Sequence, residues 1–245
     1  MLFSKPPDPD KLNILCFPYA GGNADYYNRW STQLDESICL HPVHLPGRGK
    51  YIQRPLISSM ELLITLLIDE LDTFRDCRVG FLGTSMGGWI AFQLAQQLNT
   101  SCHPVQPECL IICSAAHPDY RSHLPDLSGL DTQHAVNRLG TFNPACLNVL
   151  SNPELAEIYL PILQADLLLC RHWQFQAQPV LNCPLWAYHG TSDLIVQHDM
   201  MPAWASLTSA SFKLDTVEGI IFLQKGPRTD FSNSCTSVSP HYSKR

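Results

Sequence analysis

"FLGTSMGGWIAF", Phe81 to Phe92, is the stretch from which the fold can be read. Just before and into it, "CRVGFLG" is a short apolar run of the kind that makes a buried strand. "GGWIAFQLAQQLN" then has the length and periodicity of a helix. Between them, Gly83-Thr84-Ser85-Met86-Gly87 spells G-x-S-x-G at a strand-to-helix turn, the context that gives this short pattern chemical meaning. Such a turn is too tight for a Cβ at the glycines, and it lifts the serine hydroxyl above the sheet edge. The helix N-terminus behind it favours a developing negative charge. Ser85 is the candidate nucleophile, and the N–H of Met86 is a candidate oxyanion donor.

Outward from this turn, short apolar strands alternate with helical patterns, as in a parallel sheet with crossover helices. "KLNILCF" and "ICLHP" precede it; "ECLIIC", "CPLWAYHG" and "SFKLDTVEG" follow. Ser58 and Glu61 have capping-box spacing ahead of a helix whose face is Met60, Leu63, Ile64, Leu67, Leu71 and Phe74. Between Pro118 and Pro179 the strand signal stops and short helical patterns with Pro and Gly breaks take over. A segment that long is expected to be functional, and it is predicted to be a helical lid inserted over the end of the sheet, within a single domain spanning 1–245.

The totals narrow the class. With 245 residues, 45% of them hydrophobic, the chain can bury a large core. A net charge of −6 with no run of like charge argues against a nucleic-acid surface. "MELLITLLIDELDTF" is interrupted by Glu61, Thr65, Asp69 and Glu70, so no membrane span is expected, and no secretory leader is read at the N-terminus. Of ten cysteines, Cys16, Cys77, Cys109 and Cys113 fall in or beside apolar runs, and none has zinc spacing. Reduced thiols in a cytoplasmic protein with no metal and no cofactor are expected.

A serine nucleophile needs partners. A second backbone donor is expected from "FPYAGG", with Tyr19 or Ala20 supplying the N–H. The acid is expected after the nucleophile, and Asp193 lies just beyond the strand in "LWAYHGTSDLIV". Its role would be to orient a histidine and stabilise the imidazolium. His189, at the end of that strand, has the position of a packed, hydrogen-bonded histidine rather than a base.

"FPYAGG", "LPGRG", "GTSMGG" and "LPILQAD" occur in the order and at the spacings of the type II thioesterases that accompany polyketide synthases, nonribosomal peptide synthetases and animal fatty acid synthase. The resemblance runs from about Leu12 to Gly219. It implies an α/β-hydrolase fold, a mostly parallel sheet flanked by helices, with a small helical lid. It also implies hydrolysis of acyl thioesters from the phosphopantetheine arm of an acyl or peptidyl carrier protein, and a monomeric enzyme without cofactor is expected. Two small departures are Gly49, where relatives commonly have an acidic residue, and Gln164, where the lid motif often has arginine. If that arginine steers an acidic carrier, docking is weaker here. Arg48 is expected to brace a loop rather than touch substrate.

The large departure is "VEGIIFLQKGP", Val217 to Pro227. Relatives have a G-x-H-F-F or G-H-H-F type of text after the last strand, and the aligned residue here is Ile220. Isoleucine cannot take a proton, and losing one triad member costs on the order of 10⁴ to 10⁶ in kcat. Gly-Ile-Ile-Phe-Leu-Gln-Lys-Gly can be encoded as GGC ATC ATT TTC TTG CAA AAG GG. Read from the last base of the glycine codon, the same letters give His-His-Phe-Leu-Ala-Lys. Loss of one base from a glycine codon would produce the present text. The Ser-rich residues 223–245 show no helical periodicity and are expected to be disordered or non-native. His241 is the alternative base if the C-terminus has instead diverged.

Overall fold

The computed structural model describes residues 2–3, 5–30 and 34–219. The expectations for Ile220, for the tail 223–245 and for His241 therefore lie outside the described residues. The apolar runs form strands β1 (Leu12–Phe17), β2 (Ile38–Pro42), β3 (Arg78–Thr84), β4 (Leu110–Cys113), β5 (Leu185–Gly190) and β6 (Phe212–Val217). They make one sheet in the order β2-β1-β3-β4-β5-β6, and every neighbouring pair is parallel. β1, β4 and β5 are buried along their whole length, which is why they read as continuous rather than alternating apolar text. The period of two still sorts their side chains. Leu15, Phe17, Phe81, Ile112 and Ala187 enter one core, while Ile14, Cys16, Leu82, Ile111 and Trp186 enter a smaller one on the opposite face.

Helix α1 (Met60–Ile68) buries Met60, Leu63, Ile64 and Leu67, as its spacing predicts. Its cap differs from the expectation. Ser59, not Ser58, is the N-cap: its hydroxyl accepts from the Leu62 N–H at 3.2 Å and donates to Glu61 at 2.7 Å. Leu71 and Phe74 continue the buried face from a separate 3-10 turn, Leu71–Phe74, rather than from the helix. Helix α2 (Met86–Thr100) follows β3 and is buried on nearly every side in its first turns.

After β4 come α3 (Thr132–Phe142), the short α4 (Leu147–Leu150) and α5 (Pro153–His172), and no described residue between Pro118 and Pro179 belongs to a strand. Each long helix has a local start signal. Asp131 accepts from the His134 N–H at 2.9 Å, and Asn152 accepts from Glu154 and Leu155 ahead of Pro153. These helices share an apolar cluster of their own, with Leu139, Leu150, Ala156, Leu160 and Leu167 among its members. The far end of α5 joins the main core through Leu169 and Cys170. α5 thus belongs to both the inserted helices and the body of the sheet.

Cys16, Cys109 and Cys113 are buried free thiols, and Cys77 is half-buried. Among the described residues no helix is long and apolar enough to cross a membrane.

Candidate active site

Ser85 joins β3 to α2 with φ 52° and ψ −119°, a positive φ that a non-glycine residue holds only at a cost of about 1–3 kcal/mol. The surrounding hydrogen bonds impose it. The Ser85 N–H donates to Cys113 O at 2.9 Å, and Ser85 O accepts from the Gly88 N–H at 2.8 Å. Its side chain makes no capping bond to the helix, so the hydroxyl is left for other work. The two motif glycines are steric requirements. A Cβ on Gly83 would lie 2.0 Å from Gly87 O, and one on Gly87 would lie 2.0 Å from Phe17 O. Behind the turn, the buried Tyr27 hydroxyl donates to Phe17 O at 2.6 Å and lies 3.0 Å from Thr84 Oγ1. Burial holds the Tyr27 phenol protonated, and so a donor.

The Ser85 turn opens on a cavity of about 80 Å³. Tyr19, Ala20 and Met86 line it with Ser85, so the expected nucleophile and all three expected oxyanion-donor residues meet at one place. The rest of the wall is mainly apolar: Trp89 comes from α2, Leu139 and Phe142 from α3, and Leu163 and Leu167 from α5. Tyr19 packs edge-on against Tyr26 with ring centroids 5.2 Å apart. Desolvation, then Cys146 and Tyr159, raises the Tyr19 pKa, which keeps this wall uncharged. Ala115 and Ala116 form another wall, and two indoles fix their backbone: Trp204 Nε1 donates to Ala115 O and Trp89 Nε1 to Ala116 O, both at 2.8 Å.

Asp193 lies beyond β5 and does not itself line the cavity. Its Oδ1 accepts from the N–H groups of Ile195 at 2.9 Å and Val196 at 3.0 Å, and those two residues do line it. Its Oδ2 is buried and has no hydrogen-bond partner among the described residues. A buried carboxylate oxygen with open lone pairs is costly, and one beside an active-site cavity suits a donor that belongs to the chemistry. The chain returns to this turn at the end of β6. Thr191 N–H donates to Val217 O at 2.9 Å, Ser192 N–H to Gly219 O at 3.0 Å, and Gly219 N–H to Thr191 Oγ1 at 3.0 Å. Gly219, which immediately precedes Ile220, is thereby tied to the two residues before Asp193.

His189 is buried, and its Nε2 donates to Val196 O at 2.9 Å. Its ring also meets His198 edge-on, so it is held as a packed histidine away from the cavity wall.

A family model described as Thioesterase domain matches residues 13–228. The chain belongs to this family. Acyl-thioester hydrolysis is the activity that membership carries. Among similar proteins is the linear gramicidin dehydrogenase LgrE of Brevibacillus parabrevis, 31% identical over 213 residues that cover 84% of this chain and 79% of that protein. The gramicidin S biosynthesis protein GrsT of Aneurinibacillus migulanus is 28% identical over 83% of this chain and 79% of its own. Among solved structures, the RedJ thioesterase from the prodiginine pathway of Streptomyces coelicolor superposes with a TM-score of 0.79 and 29% identity, covering 95% of this chain and 93% of that one. The serine elbow agrees with the family description rather than with the dehydrogenase in LgrE's name.

Residue-by-residue reading of the sequence missed two parts of this candidate site. Asn143 and Cys146 reach the cavity from the connection after α3, which carries no motif. The second part is a pairing between Arg48 and Asp166, which stand in separate motifs far apart in the chain.

Proposed function

We propose that this chain is a type II thioesterase by descent, acting on acyl groups carried by the phosphopantetheine arm of an acyl or peptidyl carrier protein. The observation that carries this reading is Ser85, held at positive φ on the wall of an apolar cavity that it shares with Tyr19, Ala20 and Met86. The Ser85 oxygen would attack the thioester carbonyl, forming a C–O bond as the carbonyl π pair moves onto oxygen. The N–H groups of Met86 and of the Tyr19–Ala20 segment would stabilise that oxyanion. Collapse would break the C–S bond and release the pantetheine thiol, and water would then hydrolyse the acyl-serine ester. The apolar walls from α3 and α5 suit an acyl chain, and residues 118–179 act as its lid within one α/β-hydrolase domain.

Both proton transfers need a base, and in this reading Asp193 would orient it. The residue after Gly219 is the position from which that base would come, and isoleucine occupies it. Hydrolysis by this chain is therefore impaired, and a one-base shift in the glycine codon accounts for the text that follows. The isoleucine also favours a second reading, a catalytically inactive protein that still binds acyl carrier; a generic small-molecule esterase would bind none.

The deciding experiment measures hydrolysis of acyl-pantetheine thioesters by this chain and by a version with the frame restored after Gly219. The restored chain should be faster by about 10⁴-fold or more. Ordinary enzyme turnover by the chain as written would overturn the impairment, and no turnover by either, with carrier binding intact, would favour the binding protein.

A further inference from the structure

Three of the four motifs that surround the serine meet in one buried cluster. Arg48, from "LPGRG", and Asp166, from "LPILQAD", form a two-pronged ion pair, with Nη1 to Oδ2 and Nη2 to Oδ1 both at 2.6 Å. Their side chains are 5% and 2% exposed. The third motif, "FPYAGG", is bound to both. Asp166 Oδ2 accepts from the Gly21 N–H at 2.7 Å, and Arg48 Nη1 donates to Gly22 O at 3.3 Å.

We infer that Arg48 and Asp166 are positioning residues for the oxyanion donors, locking the Tyr19–Ala20 segment to α5. The inference rests on Ser85 being the nucleophile. Gly21 is the residue after Ala20, so the hydrogen bond that its N–H donates to Asp166 fixes the chain one peptide from the expected donors. Gly21 also has φ +78°, and a Cβ there would come within 2.7 Å of Leu163 on α5. The loop therefore touches α5 at two points, through Asp166 by hydrogen bonding and through Leu163 by packing. Leu163 and Leu167, on either side of Asp166 in sequence, line the acyl cavity. On its other side the pair borders a cavity of about 10 Å³ whose wall includes Met86, the residue of the other oxyanion donor. One ion pair thus sets the distance between the oxyanion loop, the start of α2 and the acyl-binding wall.

A buried ion pair is a poor choice for stability alone, because desolvation offsets most of its attraction, and an apolar pair of similar volume often serves as well. What leucine and methionine cannot reproduce is the acceptor for Gly21. That difference makes the inference testable with Arg48→Met/Asp166→Leu, which removes both charges together and strands neither.

Two readouts on the full chain need no catalytic base. The first is amide hydrogen exchange at Gly21. The second is the ratio of affinities for two acyl-pantetheine analogues, a neutral thioether and a phosphonate whose tetrahedral anion imitates the oxyanion. In the double variant, Gly21 exchange should accelerate at least about 10-fold and the preference for the phosphonate should fall about 10-fold or more, with thioether affinity kept. Unchanged exchange and preference in a folded variant would overturn the inference. So would an equal loss of affinity for both analogues, which is the mark of a merely structural role. Should the double variant fail to fold, Arg48→Lys supplies the same readouts, since it keeps the charge but loses the fork, and it should shift both in the same direction. A parent chain that binds the thioether without preferring the phosphonate would overturn the oxyanion reading itself, and that result appears before any substitution is made.

Discussion

At the β3 end of the sheet, around Ser85, the backbone is crowded until only glycine fits, and Tyr27, Thr84 and Phe17 are joined by hydrogen bonds. At the β5 end, Asp193 satisfies one carboxylate oxygen with two N–H groups, and the other is buried with no partner among the described residues. The flanking strands differ in the same sense. β1 is buried throughout, whereas β6 has no fully buried residue. In the roles proposed above, a nucleophile has to be fixed in advance, which suits closed and strained surroundings. An acid that orients another side chain has to keep an acceptor open, which suits surroundings that tolerate an unpaired group. On the proposed mechanism the two regions divide the work, and the Asp193 turn is the one tied to Gly219.

The comparison can be broken most severely at the closed end. Gly87→Ala would drive a Cβ into the Phe17 and Pro18 backbone, which cannot rotate away as a side chain could. It should cost about 3 kcal/mol or more, read from the denaturant midpoint. A loss below 1 kcal/mol would mean that the turn is less crowded than described.

Away from both of these regions, on the edge strand β2, the sheet should also be sensitive to acid. His41 on β2 is buried, with Nε2 donating to Asn13 Oδ1 at 2.8 Å. Burial, then the Lys5 ammonium, lowers its pKa from 6.5 to about 4. In the unfolded chain His41 takes up its proton below pH 6.5 while the folded site resists until about 4. Its contribution is therefore complete above pH 6.5 and is lost as pH falls through this window, by at most about 3 kcal/mol. Denaturation at pH 7 and pH 4.5 should show a shallower decline in His41→Gln than in the parent, and parallel declines would exclude His41 as the source.

At the open end, two substitutions of Asp193 separate its bonds. Asp193→Asn keeps an oxygen for the Ile195 and Val196 N–H groups and should change stability by less than about 0.5 kcal/mol. Asp193→Ala leaves both donors unmet and should cost about 1–2 kcal/mol. Equal costs would show that Oδ2, not Oδ1, carries the structural role. The smallest effect has the opposite sign. Ser85→Gly relieves the positive φ and should raise stability by about 1 kcal/mol, read from the thermal midpoint, if the strain resides in that residue.

Much of the fold was legible because most strands are short apolar runs and α1 and α2 carry helical spacing. The elbow was legible because G-x-S-x-G lies between two such elements. Where local text offered two serines, Ser58 and Ser59, the capping-box spacing selected the wrong one; the three-dimensional start of α1 gives that role to Ser59. The pattern likewise ran one apolar face from Met60 to Phe74, although α1 ends at Ile68 and a 3-10 turn carries the rest. Periodicity reports which side is buried, not where the hydrogen-bond ladder breaks.

The amino-acid sequence by itself determined the alternation of strand and helix, the turn at Ser85 and the isoleucine after Gly219, because these are properties of neighbouring residues or of a single position. Only the tertiary structure decided that Arg48, Asp166 and Gly21 meet, that Leu163 and Leu167 face the same cavity as Ser85, and that Asp193 has one oxygen with no partner among the described residues. The physical reason is separation along the chain. A motif records what a residue does to its own backbone, whereas a buried ion pair or a shared cavity exists only once distant segments have excluded water from between them.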